Sequence, residues 1–176
     1  PASDFGLRSA PRRDGARPGD VVAVCGRLGW AAAGLAVLGR GFRSPRIVVD
    51  AHRRPHPPYS AGALAAAAGA TAMIDVSDGL LGDLGHIAAA SGVQIVLDTD
   101  ALPIDDQIRE TASAFNADPL GWVVAGGDDH ALAATFPAGT ALPSGFVAIG
   151  EIVEGSGVEV PGYRHIGAPG FDHFRD

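Results

Sequence analysis

Asp75-Val76-Ser77-Asp78-Gly79-Leu80-Leu81-Gly82-Asp83-Leu84-Gly85-His86-Ile87-Ala88 is the stretch on which the reading of this chain turns. Leu80, Leu81, Leu84, Ile87 and Ala88 follow the i, i+1, i+4, i+7, i+8 spacing of an amphipathic helix, closed by Gly92. The apolar run Ala72–Ile74 predicts a strand leading into Asp75. Two carboxylates and a hydroxyl thus leave a strand and enter a helix at one point. Ionised side by side at ~5 Å, the carboxylates repel by about 3 kcal/mol at an effective dielectric of about 20, which a proton or a cation must relieve. Mg²⁺ does so while accepting oxygen ligands from carboxylates and phosphates together. Ser77 can cap the helix or donate to a phosphate. The same spacing also fits a plain strand-to-helix turn in which these residues are caps and nothing more. An EF-hand does not fit, because Gly79 stands one place too early and no bidentate Glu comes after it.

Outward from this stretch, Val21–Cys25 reads as a short strand ending at Gly26, and Trp30–Leu38 as a helix rich in small residues. Residues 39–59, with five arginines and Pro55-His56-Pro57-Pro58, read as a long loop. Ser60 is placed to cap a helix over Ala61–Ala68. Val93–Asp98 alternates as a strand, Pro103–Phe115 and Pro119–Val124 read as helices, and His130–Phe136 and Gly145–Val153 as strands. Strands joined by turns rather than crossovers favour α+β over a doubly wound fold. Residues 1–20 read as an irregular lead-in, and 21–176 as one domain.

All 13 basic residues are arginine, so a Walker A lysine, a Schiff-base lysine and a protein-kinase strand lysine are impossible within this chain. Residues 1–54 carry a net +6 and residues 55–176 a net −13. An arginine-rich end suits phosphate oxygens, and an acidic remainder suits a hard cation. A pI near 5.2, with no aromatic residues among the arginines, argues against nucleic acid. No apolar window approaches the ~20 residues of a membrane span, and no signal peptide is visible. The single Cys25 reads as a small buried hydrophobe and suits a reducing cytoplasm.

Gly126-Gly127-Asp128-Asp129-His130 is a second candidate site, since paired glycines let a backbone approach a ligand closely. Neighbouring acids in an extended segment point to opposite sides, so one of Asp128 and Asp129 at most faces a given site. Gly26-Arg27-Leu28-Gly29 fits either close packing or an anion nest. Gly170-Phe171-Asp172-His173-Phe174 places two aromatics in a polar tail, where they can dock on the core or stack on a heteroaromatic ring.

Taken in order, these segments resemble the thiamine-monophosphate kinase family. Gly15-Ala16-Arg17-Pro18-Gly19-Asp20 is similar to its Gly-Ala-x-Pro-Gly-Asp motif, and Gly26-Arg27-Leu28-Gly29 with Ala32-Ala33-Gly34-Leu35 to its glycine-rich helix start. Arg54-Pro55-His56-Pro57 resembles its Arg-Pro-x-Pro segment, and Asp75–Leu80 its metal and ATP motif. Gly126–Leu132 is similar to Gly-Gly-Glu-Asp-Tyr-Glu-Leu, and Gly170–Phe174 to the terminal Gly-aromatic-Asp-His-Phe. The resemblance implies an α+β fold, with a mixed sheet covered by helices, of the aminoimidazole ribonucleotide synthetase-like superfamily. It also implies in-line transfer of the ATP γ-phosphoryl group to thiamine monophosphate, giving thiamine diphosphate. Carried over by position, Asp75 and Asp78 bind Mg²⁺, Ser77 and Arg13 contact ATP, Asp128 contacts the substrate and Phe171 stacks on it. Asp128 and His130 depart from the family's Glu and Tyr. Such kinases are longer, with an N-terminal ATP domain that Pro1–Arg12 does not resemble and that supports a homodimer. The 176 residues alone are therefore expected to be inactive. The alternatives are a sister enzyme with an amide or selenide acceptor, and a non-catalytic nucleotide-binding or assembly domain.

Overall fold

Val21–Cys25 (β1) alternates its side chains between two buried layers, Val22 and Val24 into one cluster and Ala23 and Cys25 into another. A strand buried on both faces belongs at the middle of a sheet, and β1 pairs antiparallel with two neighbours. In the computed structural model, which describes residues 10–163, the chain continues through α1 (Trp30–Gly39), α2 (Arg46–Arg53), α3 (Ala61–Ala67), β2 (Ala72–Val76), α4 (Leu80–Ser91) and β3 (Gln94–Leu97). It then forms α5 (Asp106–Ala114), α6 (Pro119–Ala125), β4 (Ala131–Phe136), β5 (Phe146–Val153) and β6 (Gly157–Glu159). The strand order is β2-β4-β1-β5-β3-β6, antiparallel except for the parallel pair β3–β6. The α+β fold with a mixed sheet under helices is thus the one expected.

Leu80, Leu84 and Ile87 of α4, with Val123 and Val124 of α6, cover one face of the sheet. Ala61 and Ala65 of α3 pack on the other, against Ala134, Phe136 and Phe146. A third cluster joins α1, α2 and α5 through Trp30, Val37, Val48, Val49 and Ile108.

Two local readings change, the loop over 39–59 and the Ser60 cap, and two features of the sheet had no local signal. Residues 39–59 are not one loop: Arg46–Arg53 form α2, whose Val48, Val49 and Ala51 make an inward stripe too short to show as a period. β4 and β5, consecutive in sequence, are not neighbours, because β1 lies between them. β6 is only three residues long and carries no alternation that could reveal it. Ser60 precedes α3 but makes no side-chain cap bond.

Residues 10–20 are irregular yet fixed to the sheet. Arg12 bridges Ala72, and the Asp20 carboxylate accepts from Arg17 N–H at 3.0 Å and Thr71 Oγ1 at 2.7 Å. A Cβ on Gly15 would stand 2.1 Å from the Thr71 carbonyl oxygen, so this crossing requires glycine. The Gly15–Asp20 motif is accordingly a structural clasp.

The register fixes where chemistry can be gathered. Cys25 of β1 and Asp75 of β2 both stand opposite Leu132 of β4, one on each side. The C-terminal ends of β1 and β2 and the N-terminal end of β4 therefore open onto one rim of the sheet.

Candidate functional site

Three loops meet at this rim: Gly26–Gly29 between β1 and α1, Ser77–Gly79 between β2 and α4, and Gly126–His130 ahead of β4. The last two are joined directly, the Asp128 N–H donating to the Ser77 carbonyl oxygen at 2.8 Å. A Cβ on Gly127 would lie 2.6 Å from that oxygen, so the contact exists because the residue is glycine. The two acidic motifs singled out in the sequence, some fifty residues apart, form one surface.

What shapes the first loop is a residue the sequence reading missed. Asp83, 3% exposed on α4, accepts through Oδ2 from the N–H groups of Ser77, Asp78 and Gly79 at 2.9, 3.0 and 3.2 Å. These are N–H groups left over at the start of a helix, and a carboxylate in its first turn satisfies them. Burial raises the Asp83 pKa against the lowering effect of these N–H bonds, and the charge of Asp78 adds to the rise. The available signal was an acid on the apolar stripe of α4, three residues after Leu80 and four before Ile87. Ser77 is not the cap: its hydroxyl donates to Asp78 Oδ1 at 3.3 Å.

Asp129 does the same for α1. It is 5% exposed, and its Oδ1 accepts from Ala31 N–H at 2.8 Å, while Oδ2 has no partner. Burial lifts its pKa to about 6, opposed by the N–H groups of Ala31, Gly29 and Trp30 and helped by the charge of Asp128. Asp129 is buried and Asp128 is exposed, but the backbone here is not the extended segment assumed from the sequence. Asp128 and His130 on either side adopt left-handed backbone angles, φ 65° and 54°. Such conformations, uncommon away from glycine, rotate the exposed Asp128 away from its buried neighbour.

Outside these two anchors stand the groups that can meet a ligand. Asp75 is exposed on the face of β2 opposite Ile74 and Val76, and Asp78 is half-buried at the turn. The Arg27 guanidinium lies 4.5 Å from the centroid of the Trp30 ring. Among the described residues no group of three or more His, Cys, Asp or Glu side chains is placed to hold a metal. Two carboxylates do fit Mg²⁺, which binds through one or two carboxylates and takes its remaining ligands from water and phosphate. Arg13 is not in this cluster. Its carbonyl oxygen accepts from Ser91 Oγ at the far end of α4, a twelve-residue helix about 18 Å long. Phe171 lies outside the described residues.

Both helix N-termini at the rim are already occupied by the protein's own carboxylates, so neither offers a vacant anion site of the usual kind. Positive charge for a phosphate must come from arginine or a bound cation.

The family described as AIR synthase related protein, C-terminal domain, matches residues 17–162. The thiamine-monophosphate kinase of Mycobacterium tuberculosis is 46% identical over 173 residues, covering 97% of this chain and 51% of that protein. A solved structure described as AaThiL complexed with AMPPCP and TMP superposes with a TM-score of 0.83 at 33% identity, over 92% of this chain and 53% of that one. Thiamine monophosphate kinase from Aquifex aeolicus superposes at 0.80 and 32% identity, over 88% and 54%. The chain spans about half the length of the curated relatives it matches. No helix among the described residues is long and apolar enough to cross a membrane.

Proposed function

The chain belongs to the AIR synthase related family, as a C-terminal domain of the thiamine-monophosphate kinase kind, and from that premise we propose that it forms one wall of an ATP-dependent phosphotransferase site. The acceptor in this reading is thiamine monophosphate and the product thiamine diphosphate. The observation that carries it is the bond from Asp128 N–H to the Ser77 carbonyl oxygen, which puts the metal-binding and substrate-binding candidates on one rim.

Asp75 and Asp78 would hold Mg²⁺, which when bound offsets phosphate charge and draws the nucleotide oxygens together. Asp83 keeps Asp78 and Ser77 in place before any ligand arrives, so little ordering remains to be done on binding. The Ser77 hydroxyl, which donates to Asp78 Oδ1 here, would turn to donate to a nucleotide phosphate once Mg²⁺ takes that carboxylate. Arg13 is anchored at the far end of α4, so in this reading it would contact ATP at an edge of the cleft separate from this rim. Asp128 and Phe171 are assigned to the substrate. Asp128 is one methylene shorter than the glutamate its motif resembles, which sets its carboxylate further back from the acceptor. The chain's own groups bind and orient, and no covalent intermediate on the protein is needed.

The complete enzyme in this reading includes an N-terminal half, works in the cytoplasm and forms a homodimer. Calorimetry with Mg-ATP on the 176 residues, alone and after adding the N-terminal half of a relative, tests the division of labour. Weak binding alone that becomes micromolar with the added half supports it. Micromolar binding with steady turnover by the 176 residues alone defeats it.

A further inference from the structure

Asp129 is nine-tenths buried and carries a carboxylate oxygen with no partner. Its other oxygen spans from the Gly126–His130 loop to the first turn of α1. No other side-chain bond among the described residues ties these two loops together, whereas Ser77–Gly79 is held by Asp83. We propose that Asp129 is a positioning residue: by gripping the N-terminus of α1 it sets the Gly26–Gly29 turn, and Arg27 with it, against the loop that carries Asp128.

The packing around this grip limits how α1 can respond when it loosens. Gly29 abuts Val123 and Trp122 of α6, each within 3.2 Å of where its Cβ would stand, so α1 has one seat at this end. Trp30 is the first residue of α1 and carries Arg27 over its ring. A carboxylate attracts the helix N-terminus by charge as well as by hydrogen bond, and protonation removes the first of these. The grip is therefore full above the Asp129 pKa of about 6 and weakened below it. The titratable and charged side chains on the surrounding elements are Arg27 before α1, Asp78 and Asp83 at the start of α4, and Asp128 and His130 on its own loop. α6 contributes none. Of these, Asp128 is the group whose charge adds to the rise.

The chain's only two tryptophans, Trp30 and Trp122, flank the grip, so their emission reports it in the 176-residue chain. Emission should titrate with a midpoint near pH 6 in the native chain, persist in His130→Gln, and vanish in Asp129→Asn. The backbone amide of Ala31, monitored by nuclear magnetic resonance in the native chain, should shift with the same midpoint, and this needs no variant to fold. A midpoint retained in Asp129→Asn, lost in His130→Gln, or absent at Ala31 overturns the proposal. The catalytic consequence rests on the proposed kinase reading. In the complete enzyme, Asp129→Asn should raise KM for thiamine monophosphate about tenfold with KM for ATP unchanged, whereas a purely structural residue would move both. Native enzyme that fails to phosphorylate thiamine monophosphate would end the kinase reading while leaving the emission and amide results to stand alone.

Discussion

Removing Asp83 is the sharpest test of how the acidic rim is built. One carboxylate oxygen accepts three backbone N–H bonds, and the side chain is 3% exposed. Bonds to a charged acceptor contribute about 1.5–3 kcal/mol each, but Ser77 and Asp78 are half-buried and their N–H groups can turn to water. Only Gly79 is buried, so Asp83→Ala should cost about 2–4 kcal/mol rather than the sum of three bonds. Asp83→Asn keeps an acceptor oxygen and should cost about half as much. The pH dependence adds a second check. Burial raises the folded pKa of Asp83 above its ordinary value, so the folded state binds the proton more readily than the unfolded one. Native stability from this group is then greatest at acid pH and falls as pH rises through the folded pKa, so the deficit of Asp83→Ala should widen toward acid. Urea unfolding of the 176-residue chain at pH 5 and pH 8 measures both effects. A variant within about 0.5 kcal/mol of the native chain at both values would show that the loop keeps its shape without Asp83.

Three further outcomes are expected from the same geometry. Gly127→Ala places a methyl 2.6 Å from the Ser77 carbonyl oxygen; it should lower stability by about 1–3 kcal/mol in thermal unfolding, and a neutral change would mean the two loops part easily. Asp75→Asn or Asp78→Asn in the complete enzyme should lower turnover at least about tenfold with the fold intact, and an unchanged Mg²⁺ requirement in both would return the motif to a plain turn. Phe171→Ala should raise KM for thiamine monophosphate about 2- to 30-fold with little change for ATP; early melting, or both constants moving together, would make it a packing residue.

What the sequence revealed and what it hid divide along one physical line. The helical spacing of Leu80, Leu84 and Ile87, and the continuous run Val21–Cys25, record burial by many side chains at once, and both elements appear where periodicity put them. Arg46–Arg53 buries a stripe on only two turns, and the Pro-rich segment after it reads as loop, so local composition outweighed tertiary packing. The acidic motifs were visible as motifs, but their meeting was not. It depends on β4 lying between β1 and β2, a pairing of distant segments that no local pattern encodes. Asp83 was passed over because it sits among leucines, where a charge reads as an interruption, although that interruption marks an internal partner.

The buried acids also decide where the catalytic charge in a phosphotransferase built on this domain must come from. An N-terminal helix end usually offers about half a positive charge to a phosphate. Here α1 spends that charge on Asp129 and α4 on Asp83. Asp75, Asp78 and Asp128 then leave the rim acidic, so a phosphorylated ligand approaching it without a cation meets repulsion rather than attraction. On the three loops Arg27 is the one arginine, and Asp129 sets it against the loop that carries Asp128, on the side assigned to the acceptor, which leaves the nucleotide to a cation. Affinity of this domain for a nucleotide phosphate should therefore depend steeply on Mg²⁺. A phosphate bound equally well with and without Mg²⁺ by the 176-residue chain would mean that one of the two internal carboxylates yields its N–H groups to the ligand.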